Sequence, residues 1–127
     1  MLVMVTPFLA IDHIQLAMPA GKESVARDFY SGLLGMNEVR KPSELAKRRG
    51  CWFESGSEQL HLGVEHDFHS AKKAHPAIRC SDYDGLLAKL RKAAVEITAA
   101  DEIPGVRRCH IHDPFGNRTE LIACESS

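Results

Sequence analysis

Ile11-Asp12-His13-Ile14-Gln15-Leu16 and His75-Pro76-Ala77-Ile78-Arg79-Cys80 decide the fold, because each opens a copy of the same succession of elements. Each is a short apolar run carrying a histidine. Each copy closes on an alternating run with a second residue able to bind a metal: Gln59-Leu60-His61-Leu62 in the first, Thr119-Glu120-Leu121-Ile122 in the second. His13 and His75 lie 62 residues apart, His61 and Glu120 lie 59 apart, and Arg48-Arg49 and Arg107-Arg108 repeat the offset of 59. A duplicated unit with one ligand-type residue at each end of each copy predicts four side chains meeting at one site.

Outward from these runs, the pattern is β-α-β-β-β twice. Ile11 to Met18 alternates and predicts a strand. Pro19-Ala20-Gly21 breaks it, and a helix follows from Glu23 or Ser24 to Leu34, with Val25, Phe29 and Leu33 on one stripe. Gly35 suits the positive φ that ends many helices. Met36 to Lys41 is a short strand, Pro42 to Lys47 a loop, and Gly50 to Glu54 and Glu58 to Val64 a hairpin around Ser55-Gly56-Ser57. Residues 65–74 form a polar linker. In the second copy His75 to Cys80 is a strand, and Asp82 or Asp84 caps a helix carrying Leu86, Leu87, Leu90 and Ala94. Val95 to Thr98, Val106 to His112 and Arg118 to Cys124 are strands, with Asp113-Pro114-Phe115-Gly116-Asn117 as a turn. Ala94 stands where the first copy has a glycine; a positive φ there would cost on the order of 1 kcal/mol, so another helix-end geometry is expected. The implied organisation is one α+β domain over 1–127, built of module 11–64 and module 75–124 joined by linker 65–74.

Strand parity sets where the ligands point. Leu60, Leu62 and Val64 share one face of their strand and Gln59, His61 and Gly63 the other; Thr119, Leu121 and Ala123 oppose Arg118, Glu120 and Ile122. The apolar faces are expected to pack on the helices. His61, Glu120 and His13 then face away from the helices, into a shared concavity. Gln15 and Arg79 follow by parity with His13 and His75. Arg108, His110 and His112 share one face of the seventh strand, either lining the cavity as acid, base or anion clamp or standing half-exposed. His66, Asp67 and His69 have ligand-like spacing but fall in the linker, where a solvated role is expected.

Composition bounds the rest. At 127 residues and net charge −1, with both signs interspersed, nothing argues for nucleic acid or an anionic membrane surface. Cys51, Cys80, Cys109 and Cys124 form no C-x-x-C pair and read as buried, reduced thiols of a cytoplasmic protein. Met1-Leu2-Val3-Met4-Val5 is too short to span a membrane and lacks a signal-peptide pattern, so it is expected to be a tail packing on the body or on a partner subunit.

His13, His61, His75 and Glu120 supply three imidazoles and a carboxylate. That donor set without thiolate suits Zn, Ni, Co, Mn or Fe(II), and two histidines with one carboxylate match the facial triad of non-haem iron enzymes.

These residues together carry a resemblance. Asp12-His13-Ile14, the helix with Phe29-Tyr30 before Leu34-Gly35-Met36, His75, and Asp113-Pro114-Phe115-Gly116-Asn117 leading into Glu120-Leu121-Ile122 resemble the vicinal oxygen chelate superfamily, also called the glyoxalase/bleomycin resistance/dioxygenase family. The resemblance runs from Ile11 to Ala123. It implies two tandem β-α-β-β-β modules forming a curved, partly closed mixed sheet with helices outside, around one divalent metal held by His13, His61, His75 and Glu120. It further implies Lewis-acid chemistry on a small substrate with vicinal oxygens, of lyase/isomerase or dioxygenase type, with Glu120 as proton shuttle, and a homodimer. The alternative it leaves open is a non-catalytic binding or resistance protein using the same cavity. Glyoxalase I enzymes usually carry a glutamate where this chain has His61.

Overall fold

The computed structural model describes residues 5–124. Residues 1–4 of the apolar N-terminal run lie outside it. The first module contains β1 (Ile14–Met18), α1 (Glu23–Arg27) continued by a π-helical turn (Asp28–Leu33), β2 (Asn37–Val39), β3 (Gly50–Ser55) and β4 (Glu58–Val64). The second contains β5 (Ala77–Cys80), α2 (Tyr83–Lys92), β6 (Thr98–Ala99), β7 (Arg108–His112) and β8 (Arg118–Ala123).

Each module folds as one four-stranded mixed sheet, in order β1-β4-β3-β2 and β5-β8-β7-β6. The first and last strands of each module are parallel, and the rest of each sheet is antiparallel. The duplication is therefore exact in topology, and neither sheet closes into a barrel.

The register confirms the parity argument. Ile14 pairs with Leu60 and Leu16 with Leu62 on the core face, while Gln15 pairs with His61 on the other. In the second module half-buried Ile78 opposes Leu121 on the core-facing side, and Ala77 opposes Glu120 on the outer face. The core is one cluster drawn from both modules: Met18, Tyr30, Phe53 and Leu62 from the first, Leu87, Leu90, Ile111 and Leu121 from the second. Burying side chains of this size is worth roughly 1.5–3 kcal/mol each.

The tip of the β7–β8 hairpin joins the modules. Buried Asp113 accepts hydrogen bonds through Oδ1 from the backbone N–H groups of Phe115 (2.9 Å) and Asn117 (2.8 Å). Its Oδ2 accepts from Asn117 Nδ2 (2.9 Å) and from the hydroxyl of Tyr30 in the first module (2.7 Å). Asn117 Nδ2 also donates to the Ala17 carbonyl at 2.8 Å. The turn expected from the sequence is thus also the inter-module joint.

Several expectations need correction. Strand β1 begins at Ile14 and β5 at Ala77, so His13 and His75 sit on the approaches to the strands. The first helix changes to π geometry at Asp28, with Leu34 N–H bonding to the Phe29 carbonyl at 2.9 Å; an apolar stripe alone does not distinguish the two geometries. Gly35 has φ +77°, as expected, but Ala94 also has positive φ, +61°, because the chain leaves α2 by the same turn without a glycine. Asp82 is the cap, accepting from Gly85 N–H at 3.1 Å. Cys124 is exposed, whereas Cys51 and Cys109 are buried.

The arginine pairs are not equivalent. Trp52 opposes His61 and His110 opposes Glu120, so β3 maps onto β7 with an offset of 58 while β4 maps onto β8 with 59. The second hairpin is one residue longer at its tip, and Arg108 occupies the place of Gly50.

Candidate metal centre

The outer face of the second module brings three ligand-type side chains together. Glu120 lies on β8 with His110 directly opposite on β7; His75 reaches them from the approach to β5. Their ligand atoms lie within 4.8 Å of one another, the one such group of three among the described residues. His75 Nε2 is 3.3 Å and His110 Nε2 is 3.4 Å from the same oxygen, Glu120 Oε1. Arg108 Nη1 approaches that oxygen at 3.3 Å, while its Nη2 reaches Glu102 Oε2 at 3.0 Å and its buried Nε has no hydrogen-bond partner.

The donor chemistry fits a divalent cation. His75 Nδ1 lies 2.7 Å from the Lys73 carbonyl, which can only accept, so Nδ1 carries the proton. His75 Nε2 then faces a carboxylate oxygen at 3.3 Å. Either a proton on Nε2 or a cation between the two atoms satisfies that contact. An edge of about 3.3 Å is what ligands with bonds of about 2.05 Å make around a tetrahedral ion. The Lys73 carbonyl is the kind of outer partner that fixes a ligating imidazole.

Burial pushes the Glu120 carboxyl upward, but the His75 contact and the Arg108 guanidinium outweigh it and hold it below its usual value. Burial, reinforced by Arg118, lowers His110 and keeps its imidazole neutral.

The equivalent face of the first module holds His13 and His61 apart from this group. His61 is 5% exposed and sandwiched between two rings: Trp52 at 4.0 Å and 4° on one side, His13 at 4.2 Å and 18° on the other. Neighbouring strands are about 4.8 Å apart, which places side chains on adjacent strands at stacking distance. Burial, then the adjacent His13, lowers the His61 pKa. His13 Nδ1 lies 2.9 Å from Asp12 Oδ2. Within the described chain, then, two of the four ligands expected from the sequence meet, and the other two form a separate stacked pair.

Of the cavity candidates, Arg108 and His110 sit in the cluster, each side chain under 15% exposed. Gln15, Arg79 and His112 lie on the outer faces and are exposed. Gln15 spreads over Gly63, where an added Cβ would lie 2.7 Å from its Nε2. His66, Asp67 and His69 form no such cluster. Trp52 was missed; its pairing opposite His61 across a short hairpin was the signal that could have found it.

A duplicated mixed-sheet fold with a His/His/Glu cluster on one outer face defines a class of small α+β proteins. The particular family follows from comparison: residues 10–121 match the Glyoxalase/Bleomycin resistance protein/Dioxygenase superfamily, and the chain belongs to it. It is similar to a glyoxalase family protein from Bacillus anthracis, at 43% identity over 96% of this chain and 100% of that one, TM-score 0.91. A lactoylglutathione lyase from Agrobacterium tumefaciens shares the fold at 20% identity, covering 94% and 96% of the two chains, TM-score 0.68. So does the antibiotic binding protein TnmS3 from a Streptomyces species, at 21% identity, 91% and 98% coverage, TM-score 0.67. No curated protein is significantly similar in sequence to the chain. The fold hosts both a lyase and a binder, so function has to be argued from the site.

Proposed function

We propose that this protein is a divalent-metal-dependent enzyme acting on a small substrate with vicinal oxygens, of lyase/isomerase or dioxygenase type. The observation that carries the reading is the convergence of His75 and His110 on one oxygen of Glu120. In this reading His75 and Glu120 hold the metal in one chain, and His13 and His61 reach it from a second copy, so that the active form is a homodimer and the chain acts as a single domain. The metal would supply Lewis-acid stabilisation of charge on the substrate oxygens. Glu120, whose carboxyl is ionised at neutral pH, accepts and returns a proton, and neutral His110, which is outside the proposed ligand set, can relay one.

Two observations support the dimer. The two half-sites lie on separate sheets and are complementary, one supplying neutral nitrogen donors and the other a carboxylate. Val5, Phe8, Leu9 and Ile11, just before His13, are between 82% and 99% exposed. Four large apolar residues in seven positions form an arm suited to burial on a partner. No helix among the described residues is long and apolar enough to cross a membrane. The interspersed charge and unpaired cysteines support a cytoplasmic location without nucleic-acid partners.

Complementation tests the arrangement. His13→Ala/His61→Ala chains and Glu120→Ala chains each bind little metal as homodimers. Unfolding and refolding an equal mixture should restore about one quarter of the wild-type metal, because half the dimers are mixed and each has one intact centre. Full metal content in the His13→Ala/His61→Ala homodimer would refute the shared centre, and none in wild-type protein after reconstitution would refute the enzyme.

A further inference from the structure

A cleft at the edge of the first sheet takes no part in the chemistry above. It encloses about 650 Å³ between α1, β2, the 40–49 loop and the start of β3. Arg27, Arg40, Lys41 and Arg48 line it against two carboxylates, Glu23 and Glu38. Both carboxylates are engaged: Glu38 Oε1 accepts from Arg27 Nε at 2.8 Å, and Glu23 Oε2 accepts from the Gly50 N–H at 3.2 Å. Lys41 Nζ donates to the Arg48 carbonyl and so ties together the two ends of the loop. Arg40 and Arg48 line the cleft as well, and neither has a side-chain partner among the described residues.

Through Trp52 the cleft also adjoins the His13–His61 pair. Trp52 is part of its wall, and the same indole stacks on His61 at 4.0 Å. Val39 and Ala46 add apolar lining beside it. A concave site with an apolar wall and an excess of positive charge selects a small organic anion: guanidinium groups pair with carboxylate or phosphate oxygens, and carbon packs on the indole. A neutral ligand of the same shape would leave the excess charge uncompensated.

We infer that this cleft is a subsite for an oxyanion, a carboxylate or phosphate group, on a small substrate whose remaining part reaches across Trp52 toward His61 and His13. The inference rests on the proposed function for the direction in which the substrate extends. Anion binding in the cleft requires neither the metal nor a second chain, so the two ideas fail separately.

Trp52 is the sole tryptophan, so its emission reports the cleft directly. The full chain, stripped of metal with a chelator, is titrated with benzoate, with inorganic phosphate, and with benzamide as the neutral counterpart of benzoate. A saturable change in emission is expected for at least one of the two anions. Its midpoint should rise at least about tenfold in Arg40→Gln/Arg48→Gln and in high salt, and stay within about twofold in Lys92→Gln on the far module. Preference for benzoate identifies a carboxylate site, and preference for phosphate identifies a phosphate site. An equal response to benzamide, an unchanged midpoint in the double arginine variant, or no saturation by about 10 mM of either anion overturns the inference. Circular dichroism of the variant separates lost binding from lost fold, and the single variants Arg40→Gln and Arg48→Gln decide the matter if the double variant does not fold. Metal analysis of the same protein keeps the outcomes apart: protein that takes up metal but binds neither anion refutes the subsite and leaves the enzyme reading intact.

Discussion

On the outer face of the first module stand His13, His61, Trp52 and Gly50; at the equivalent places in the second stand His75, Glu120, His110 and Arg108. One face is a stack of aromatic rings. The other is a carboxylate ringed by two imidazoles and a guanidinium. The backbone pairing is the same, so the difference lies in side chains and in the single residue added to the second hairpin. Gly50 shows how firmly the division is fixed: at φ +106°, a Cβ there would lie 2.1 Å from the Leu62 carbonyl oxygen. The first module cannot carry an arginine at that place. Duplication has supplied two copies of a scaffold: the outer face of the first carries a stack of ring side chains, and that of the second carries two imidazoles together with a carboxylate.

The largest expected effect strikes the charged half. Glu120→Ala should weaken metal binding about 100-fold or more, against about tenfold for His61→Ala, measured by competition with a chromophoric chelator. Equal losses would erase the distinction between the halves.

Next comes the joint between them. Asp113→Ala removes the acceptor of four hydrogen bonds and leaves the N–H groups of Phe115 and Asn117 without it. A loss of about 3 kcal/mol is expected in urea unfolding, because buried donors left unpaired cost more than the bonds contributed. A loss below about 1 kcal/mol would mean that the modules are held by the shared core alone.

The helix ends offer a smaller comparison. Gly35 and Ala94 both have positive φ, yet only one is a glycine. Ala94→Gly should stabilise by about 0.5–1 kcal/mol and Gly35→Ala should destabilise by about 1 kcal/mol, read as opposite shifts in melting temperature. Shifts of the same sign would show that the turns differ in strain.

The smallest effect is the dependence of metal-free protein on pH. His61 and His110 both titrate below the usual 6.5 in the folded chain, chiefly because burial disfavours their charged forms. Below 6.5 the unfolded chain gains protons that the folded chain resists, so stability present at neutral pH is lost as the pH falls. The melting temperature should fall between about pH 7 and 5, less steeply in His61→Asn/His110→Asn. An unchanged slope would place the titrating groups elsewhere.

Topology and facing were legible in the chain because both are carried by period. Alternation in β4 and β8 sets the side on which His61 and Glu120 stand, and repeat order sets which strands pair. What period does not carry was not legible. Whether His13 and Glu120 meet in one chain depends on how the modules pack, which rests on Tyr30, Asp113 and Asn117, residues that look like core and turn. His110 read equally well as cavity or surface until its pairing with Glu120 was seen. The offset of 58 between β3 and β7 was hidden because an arginine precedes both strands, and equal residues at unequal positions imitate a repeat.

The hydrogen bond from Tyr30 to Asp113 has a mechanical meaning. It joins the π-helical turn of one module to the hairpin tip whose descending strand carries Glu120. Burial, then the adjacent Asp113 carboxylate, pushes the Tyr30 hydroxyl far above its ordinary range, so it keeps its proton in any ordinary alkaline buffer. The fastening therefore does not loosen in base. Together with the bond from Asn117 to the Ala17 carbonyl, it anchors the hairpin tip that leads into the strand bearing Glu120.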